Sequence, residues 1–271
     1  MELTILMPCL NEENTIKGCV RQAVSFLHDY HIDGEVLVID NGSTDASAKR
    51  ALHAGAKVLS CDRKGYGNAL GFGLKHSAGK YVIMADCDCS YSFEELQPFL
   101  DKLRAGADMV IGDRFAYPME KGAMGFSHKY IGVPVLSFIG RCCFRTDVRD
   151  FHCGVRAVNR DCFLRLGCQC GGMEFATEMI GRAAVQGQNI RQVPVRFYKD
   201  QRGHHSHLRS VRDGLRHLNA AGVLPWDVRE KRPAHGKAAV VLCAVPISPA
   251  ENSPLQDQQL LCTAYEGRHG P

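Results

Sequence analysis

The run YVIMADCDCSY, from Tyr81 to Tyr91, carries an apolar stretch straight into two aspartates one residue apart. Tyr81 to Asp86 is short and apolar enough to be buried on both faces, which predicts a strand at the centre of a covered sheet. In an extended chain alternate side chains point the same way. Asp86 and Asp88 then share one side, while Cys87 between them turns back into the core. Two carboxylates placed so can face one hard divalent cation.

Outward from this strand the pattern alternates. LTILMP (Leu3 to Pro8) reads as a strand, Asn11 as the N-cap and Glu12 and Glu13 as the acidic first turn of a helix. Ile16, Cys19, Val20, Ala23, Val24 and Leu27 recur along it at helical spacing. EVLVID (Glu35 to Asp40), the turn NGSTD, a helix over Ala46 to Ala54 closed by Gly55, and the short strand KVLS follow. KGYGNALGFGLKHSAG is a glycine-rich turn leading into a helix. Beyond the central strand, Ser92 and Glu95 have the spacing of a capping box for a helix to about Arg104, and DMVIGD (Asp108 to Asp113) is another buried strand. The expected fold class is α/β, with a Rossmann-like, mostly parallel central sheet flanked by helices. Strand ends carry Asp40, Asp86 and Asp113. Ligands of open α/β sheets bind beyond the carboxyl ends of strands, so these carboxylates are placed for chemistry.

Arg114 to Gly125 reads as a loop, and His128 to Phe144 as a strongly apolar helix that Pro134 interrupts. Its apolar surface exceeds one core-facing stripe and suits a peripheral membrane contact, but it is too short to span a bilayer. Helices over Asp161 to Leu166 and Glu174 to Gln186, a strand in NIRQVPVRFY and a basic amphipathic helix around Leu208 to Leu218 complete a catalytic-size domain over residues 1–224. Residues 225–271 read as a largely disordered tail. Of 271 residues, 45% are hydrophobic and 23% charged, an ordinary globular composition. A formal charge of +4 gives no ground to expect a nucleic-acid partner. The start lacks a basic segment before its short apolar run, so a cytoplasmic protein is expected, peripheral at the inner membrane face. Thirteen cysteines without any C-x-x-C spacing read as buried free thiols rather than a zinc site or disulfide framework.

Asn11, Glu12 and Asp40 offer acceptors that suit the imide and ribose donors of a nucleotide. Lys64 and Gly65, beside Arg63 and Gly67 before a helix, suit a phosphate. A rival reading treats GYGNALG as a dinucleotide fingerprint with Asp86 about 20 residues on, hence an oxidoreductase. It fails on detail. Four polar residues, Cys61 to Lys64, separate the preceding strand from Gly65, and Asp88 is left without a task.

The motifs PCLNEENTI, VIDNGSTDAS, KGYGNALGFGLKHSAGKYVIMADCDCSY, RDFHCGVRA, GMEFATEM and QVPVRFYKDQRG, in this order, resemble glycosyltransferase family two, close to dolichyl-phosphate mannose or glucose synthases and bacterial polyprenyl-phosphate glycosyltransferases. The resemblance reaches to about Leu218. It implies a nucleotide-diphospho-sugar transferase (GT-A) fold, an inverting mechanism, Mg2+ or Mn2+ as cofactor, and hexose transfer from a UDP- or GDP-linked donor to a polyprenyl phosphate. By the same resemblance Pro8, Asn11, Glu12, Asp40, Lys64, Gly65, Asp86, Cys87 and Asp88 make the nucleotide-sugar site, with Asp86 and Asp88 holding the metal. Asn41 stands where many members have a second aspartate, and Ser90 where many dolichyl-phosphate mannose synthases have a metal-binding Gln. Arg156, Glu174, Glu178, Arg202, His204 and Ser206 are implied on the acceptor side, and Asp88, Asp150 and Arg202 in catalysis. Glu174 and Glu178 lie one helical turn apart, and which faces the pocket is left open. A saccharide or small hydroxyl acceptor is the alternative, and a homo-oligomer is compatible with either.

Overall fold

The computed structural model describes residues 1–201 and His217. Seven strands form one sheet: β1 (Leu3–Cys9), β2 (Gly34–Asp40), β3 (Lys57–Ser60), β4 (Tyr81–Met84), β5 (Met109–Asp113), β6 (Arg156–Asn159) and β7 (Ile190–Pro194). Their spatial order is β3-β2-β1-β4-β6-β5-β7, which puts β4 in the middle, as its two-sided apolarity requires. All of β4 is buried. β1, β2, β3 and β4 run parallel, as do β5 and β7. Only β6 is reversed, antiparallel to both β4 and β5. That strand was hidden in the sequence. RAVN has four residues and no alternation, and it sits inside a motif that reads as chemistry.

Among the described residues seven helices flank the sheet: α1 (Ile16–Asp29), α2 (Ser47–His53), α3 (Tyr66–His76), α4 (Gln97–Arg104), α5 (Val133–Phe144), α6 (Arg160–Leu166) and α7 (Phe175–Val185). On α1 the buried residues Ile16, Cys19, Val20, Ala23, Phe26 and Leu27 form the stripe that its spacing predicts. Phe93, Phe99 and Phe151 are completely buried in the core, each worth about 1.5–3 kcal/mol of burial.

Three local expectations are corrected. Asn11 is no N-cap: α1 starts five residues later, and the Asn11 side chain accepts from Thr44 N–H at 2.8 Å in the neighbouring loop. Ser92 and Glu95 form no capping box. Ser92 accepts from Glu94 N–H at the start of a 3-10 turn, Glu95 pairs with Arg196, and α4 begins only at Gln97, beside Pro98. The helix expected over His128 to Phe144 is divided: His128–Gly132 winds as a wider turn, and Pro134 sits in the first turn of α5, where it removes no helical bond. Among the described residues no helix is long and apolar enough to cross a membrane. Arg202, His204, Ser206, the helix expected around Leu208 to Leu218 and the tail over 225–271 lie outside the described residues, apart from His217.

Candidate functional site

Strand register decides what meets at one edge of the sheet. Cys9 pairs with Asp40 and Leu6 with Met84, so the chain leaves β1, β2 and β4 on the same side. Arg156, the first residue of β6, pairs with Met84. Because β6 is reversed, it brings its entry rather than its exit to this edge, and the RDFHCG segment arrives beside the two aspartates.

Asp86 is half-buried and accepts the Tyr66 phenol at 3.0 Å on Oδ1. Burial, then the Asp86 carboxylate, push the Tyr66 phenol well above its ordinary value, so it keeps its proton and donates. Gly154 stands against the other oxygen: a Cβ built there would lie 2.3 Å from Asp86 Oδ2. Asp88 is buried, with Oδ1 accepting Ser90 N–H at 2.9 Å and its carbonyl accepting Gln201 N–H at 3.0 Å. Ser90 is itself buried, its N–H spent on Asp88 and its carbonyl on Tyr198 N–H. Cys87 lies in the core with its thiol on the Pro8 carbonyl, the inward placement that alternation requires.

The loops after β1 and β2 are stitched to each other. Besides the Thr44 contact, Asn11 N–H donates to Ser43 Oγ and Glu12 N–H to Ser47 Oγ, while Ser43 N–H donates to Asp40 Oδ1. Asn41 is buried and braces a third loop. Its amide donates to the carbonyls of Cys61 and Arg63 and accepts Gly65 N–H at 2.7 Å. An aspartate could not make the two donations. Gly65 sits at φ 133°, and a Cβ there would come 2.2 Å from the Gly171 carbonyl oxygen. Lys64 Nζ reaches the Gly42 carbonyl at 3.3 Å.

On the β6 side the acidic and basic residues are more deeply committed than their motifs suggest. Asp150 is fully buried and takes a two-pronged ion pair from Arg114, at 2.6 Å from Nε and 2.9 Å from Nη2, plus His152 N–H at 3.1 Å. Burial works against the Arg114 charge, but the Asp150 carboxylate holds that guanidinium well above its ordinary value. Arg156 donates to the carbonyls of Cys153, Ala176 and Phe151 at 2.7–2.8 Å and is 3% exposed. This guanidinium ties the motif to α7 through the Ala176 carbonyl. Glu178 accepts the Gln169 and Cys170 N–H groups and pairs with Arg182, while Glu174 accepts Gly172 N–H on Oε1 and leaves a buried Oε2 without a hydrogen-bond partner. Glu178 thus anchors the loop, and Glu174 holds the uncommitted oxygen. His152 has an unpartnered buried Nε2 and packs edge-on against the His217 ring at 4.4 Å. Burial, then the His217, Arg114 and Arg156 charges, hold His152 well below the usual histidine value.

Residues 4–167 match the model of glycosyl transferase family 2. The chain belongs to that family. The low-salt glycan biosynthesis hexosyltransferase Agl6 of Haloferax volcanii is 37% identical over 228 residues, covering 82% of this chain and 54% of that protein. The chain thus spans about half the length of this relative. Glycosyltransferase AglJ of the same organism is 35% identical over 78% of this chain and 67% of its own length, and a dolichyl-phosphate hexose transferase 30% identical over 72% and 82%. The fold is that of the GT-A glycosyltransferases. Glucosyl-3-phosphoglycerate synthase from Mycobacterium tuberculosis, in complex with phosphoglyceric acid, superposes with a TM-score of 0.65 at 22% identity, over 81% of this chain and 78% of that one. Its complex with Mn2+, UDP-glucose and phosphoglyceric acid gives 0.64 at 21% identity, with the same coverage.

For a family 2 chain, the D-x-D pair is the natural place to ask what a metal would find. Asp86 and Asp88 supply two hard oxygen donors, and the missing side chain of Gly154 leaves the room that Asp86 Oδ2 occupies. This donor set fits magnesium or manganese, which take a few carboxylates and complete their shells with phosphate oxygens and water. No group of three metal-ligating side chains occurs among the described residues. Tyr66 and Arg114 escaped the sequence reading. Tyr66 lies between two glycines that draw attention to the backbone, and Arg114 was assigned to a loop although it directly follows a strand-end aspartate.

Proposed function

We propose that this protein is an inverting glycosyltransferase that moves one hexose from a nucleotide-diphospho-sugar to a polyprenyl phosphate of the dolichyl type. Asp86 and Asp88 at the end of the central strand carry the proposal, Asp86 held between Tyr66 and Gly154 and Asp88 by the Ser90 N–H. Asn11, Glu12 and Asp40 are assigned to the base and ribose, and Lys64 and the Gly65 backbone to the diphosphate. Magnesium or manganese held by Asp86 and Asp88 would neutralise charge on the departing nucleoside diphosphate. Arg202, His204 and Ser206 are assigned to closing over the two phosphate groups.

A phosphate acceptor is favoured by what the carboxylates are already doing. A phosphate monoester is largely a dianion near neutral pH, with a second pKa of about 6, so its oxygen attacks the anomeric carbon without a protein base. A hydroxyl acceptor needs one. Of the three candidates, Asp150 is locked to Arg114 and Glu178 to Arg182 and two N–H donors. Glu174, with its unpartnered Oε2, is the specific observation that keeps a saccharide or small hydroxyl acceptor as the second reading. The name of one relative, the dolichyl-phosphate hexose transferase, supports the first. Exposed Phe126, Tyr130, Ile131, Val135 and Phe138, with Lys129 and Arg141 nearby, support a peripheral membrane contact for the lipid chain.

The test is a transfer assay with Mn2+ or Mg2+, polyprenyl phosphate and labelled UDP- and GDP-hexoses, wild type beside Asp88→Ala and Glu174→Gln. The expected result is lipid-phase label that Asp88→Ala abolishes and Glu174→Gln spares. Label equal in wild type and Asp88→Ala would sink the metal role. Label appearing only on saccharide acceptors, and lost in Glu174→Gln, establishes the second reading.

A further inference from the structure

Cys19 and Cys89 are 70 residues apart in sequence, yet their sulfurs lie 3.7 Å from each other. Cys19 is buried in the first turns of α1. Cys89 is half-buried, directly follows Asp88, and sits in the left-handed region at φ 65°. The turn it belongs to is the one that aims Asp88, through the Ser90 N–H to Asp88 Oδ1 bond at 2.9 Å. No C-x-x-C spacing announces the pair, because it joins a helix to a strand-end turn.

We propose that Cys19 and Cys89 are a reversible oxidation site that switches the D-x-D turn. This rests on the reading of Asp88 as a donor-side ligand. The oxidant is hydrogen peroxide. The Cys89 sulfur loses its proton and attacks a peroxide oxygen, the O–O bond breaks, and Cys89 sulfenic acid and one water form. The Cys19 sulfur then attacks the Cys89 sulfur and displaces hydroxide, which takes the Cys19 proton and leaves as a second water. Two thiols are oxidised to one disulfide and one peroxide is reduced to two waters. A thiol reductant reverses the step. A disulfide is about 2.05 Å long, so the sulfurs must close by about 1.7 Å from their present 3.7 Å. Cys19 is fixed in a helix packed on the sheet, so the Cys89 turn makes most of the movement and carries Asp88 with it. A misplacement of about 1 Å at a reacting constellation can cost on the order of a hundredfold.

The experiment treats the full chain with hydrogen peroxide, blocks free thiols with N-ethylmaleimide, and maps non-reduced peptides by mass spectrometry. UDP and GDP affinities are measured by calorimetry in Mn2+ before oxidation, after it, and after dithiothreitol. We expect a Cys19–Cys89 linked peptide, absent from Cys19→Ala and from Cys89→Ala, with a tenfold or greater loss of nucleotide affinity that dithiothreitol restores. Both variants should bind nucleotide as the reduced wild type does, before and after peroxide. Linkage of other cysteines instead, or no linkage, overturns the proposal. A linked protein with unchanged affinity overturns the switch. A reduced protein that binds neither nucleotide counts against the transferase reading, while the linked peptide still decides the oxidation site.

Discussion

Gly154→Ala is the most direct probe of the cradle around Asp86. The added Cβ would stand 2.3 Å from Asp86 Oδ2, 3.1 Å from Asp86 Cγ and 3.1 Å from Tyr91 Cε2. Unstrained contacts need about 3.5 Å, so the carboxylate must retreat by roughly 1 Å. That movement should disturb the 3.0 Å bond from Tyr66 and shift the Asp86 carboxylate from its present place. The colliding group is the end of a half-buried side chain that can swing, so the folding cost should be small, about 1 kcal/mol, at the low end of overpacking. The cost to transfer should be larger. A 1 Å error at the proposed metal-binding pair predicts a loss of about a hundredfold, equivalent to about 2.7 kcal/mol. Thermal unfolding measures the first quantity, and transfer rate against manganese concentration the second. Gly18→Ala is the control. Gly18 lies in α1 with nothing within 4 Å of a built Cβ, and the change should stabilise by about 0.5–1 kcal/mol without touching activity. A Gly154→Ala protein with wild-type rate and wild-type manganese dependence would refute the cradle.

Arg114→Met or Asp150→Asn each strands a buried partner and should cost about 3–5 kcal/mol in chemical denaturation, with the double change costing less than the sum. Glu178→Gln should destabilise measurably by weakening the Arg182 pair, whereas Glu174→Gln should leave the melting temperature nearly unchanged. His152 is held neutral in the fold below the usual histidine value of 6.5. Above that pH neither state carries the charge. As pH falls through 6.5 the unfolded chain takes a proton that the fold refuses, so stability is lost toward acid. His152→Phe should flatten the melting-temperature profile below pH 6.5, and an unchanged profile would remove His152 as its cause.

The parallel half of the fold was legible because burial on two faces writes itself as an unbroken apolar run, as in VLVI and YVIM, and because turns after β2 and before α3 carry glycine. The D-x-D pair was legible for the same reason: it ends such a run. β6 was not, since four residues flanked by a polar motif carry no period. Residue types misled where the partner is remote in sequence. Asn11 looks like a cap but bonds a loop 33 residues on. Asn41 departs from the family pattern, and its brace across two loops supplies a reason that composition could not show.

The Arg114–Asp150 pair has a consequence for how such a chain can vary. It joins residues 36 apart and clasps the neck of the excursion that contains α5. With both ends of that excursion fastened at a buried point, a change of length in its exposed loops costs the rest of the molecule little, while α5 stays tied to the fold through Ser137 Oγ, which accepts Phe151 N–H. Doubling a loop adds only about 0.6 kcal/mol of closure entropy. The neck therefore works as a splice point for those exposed loops, which can lengthen or change sequence while β5 and β6 keep their register.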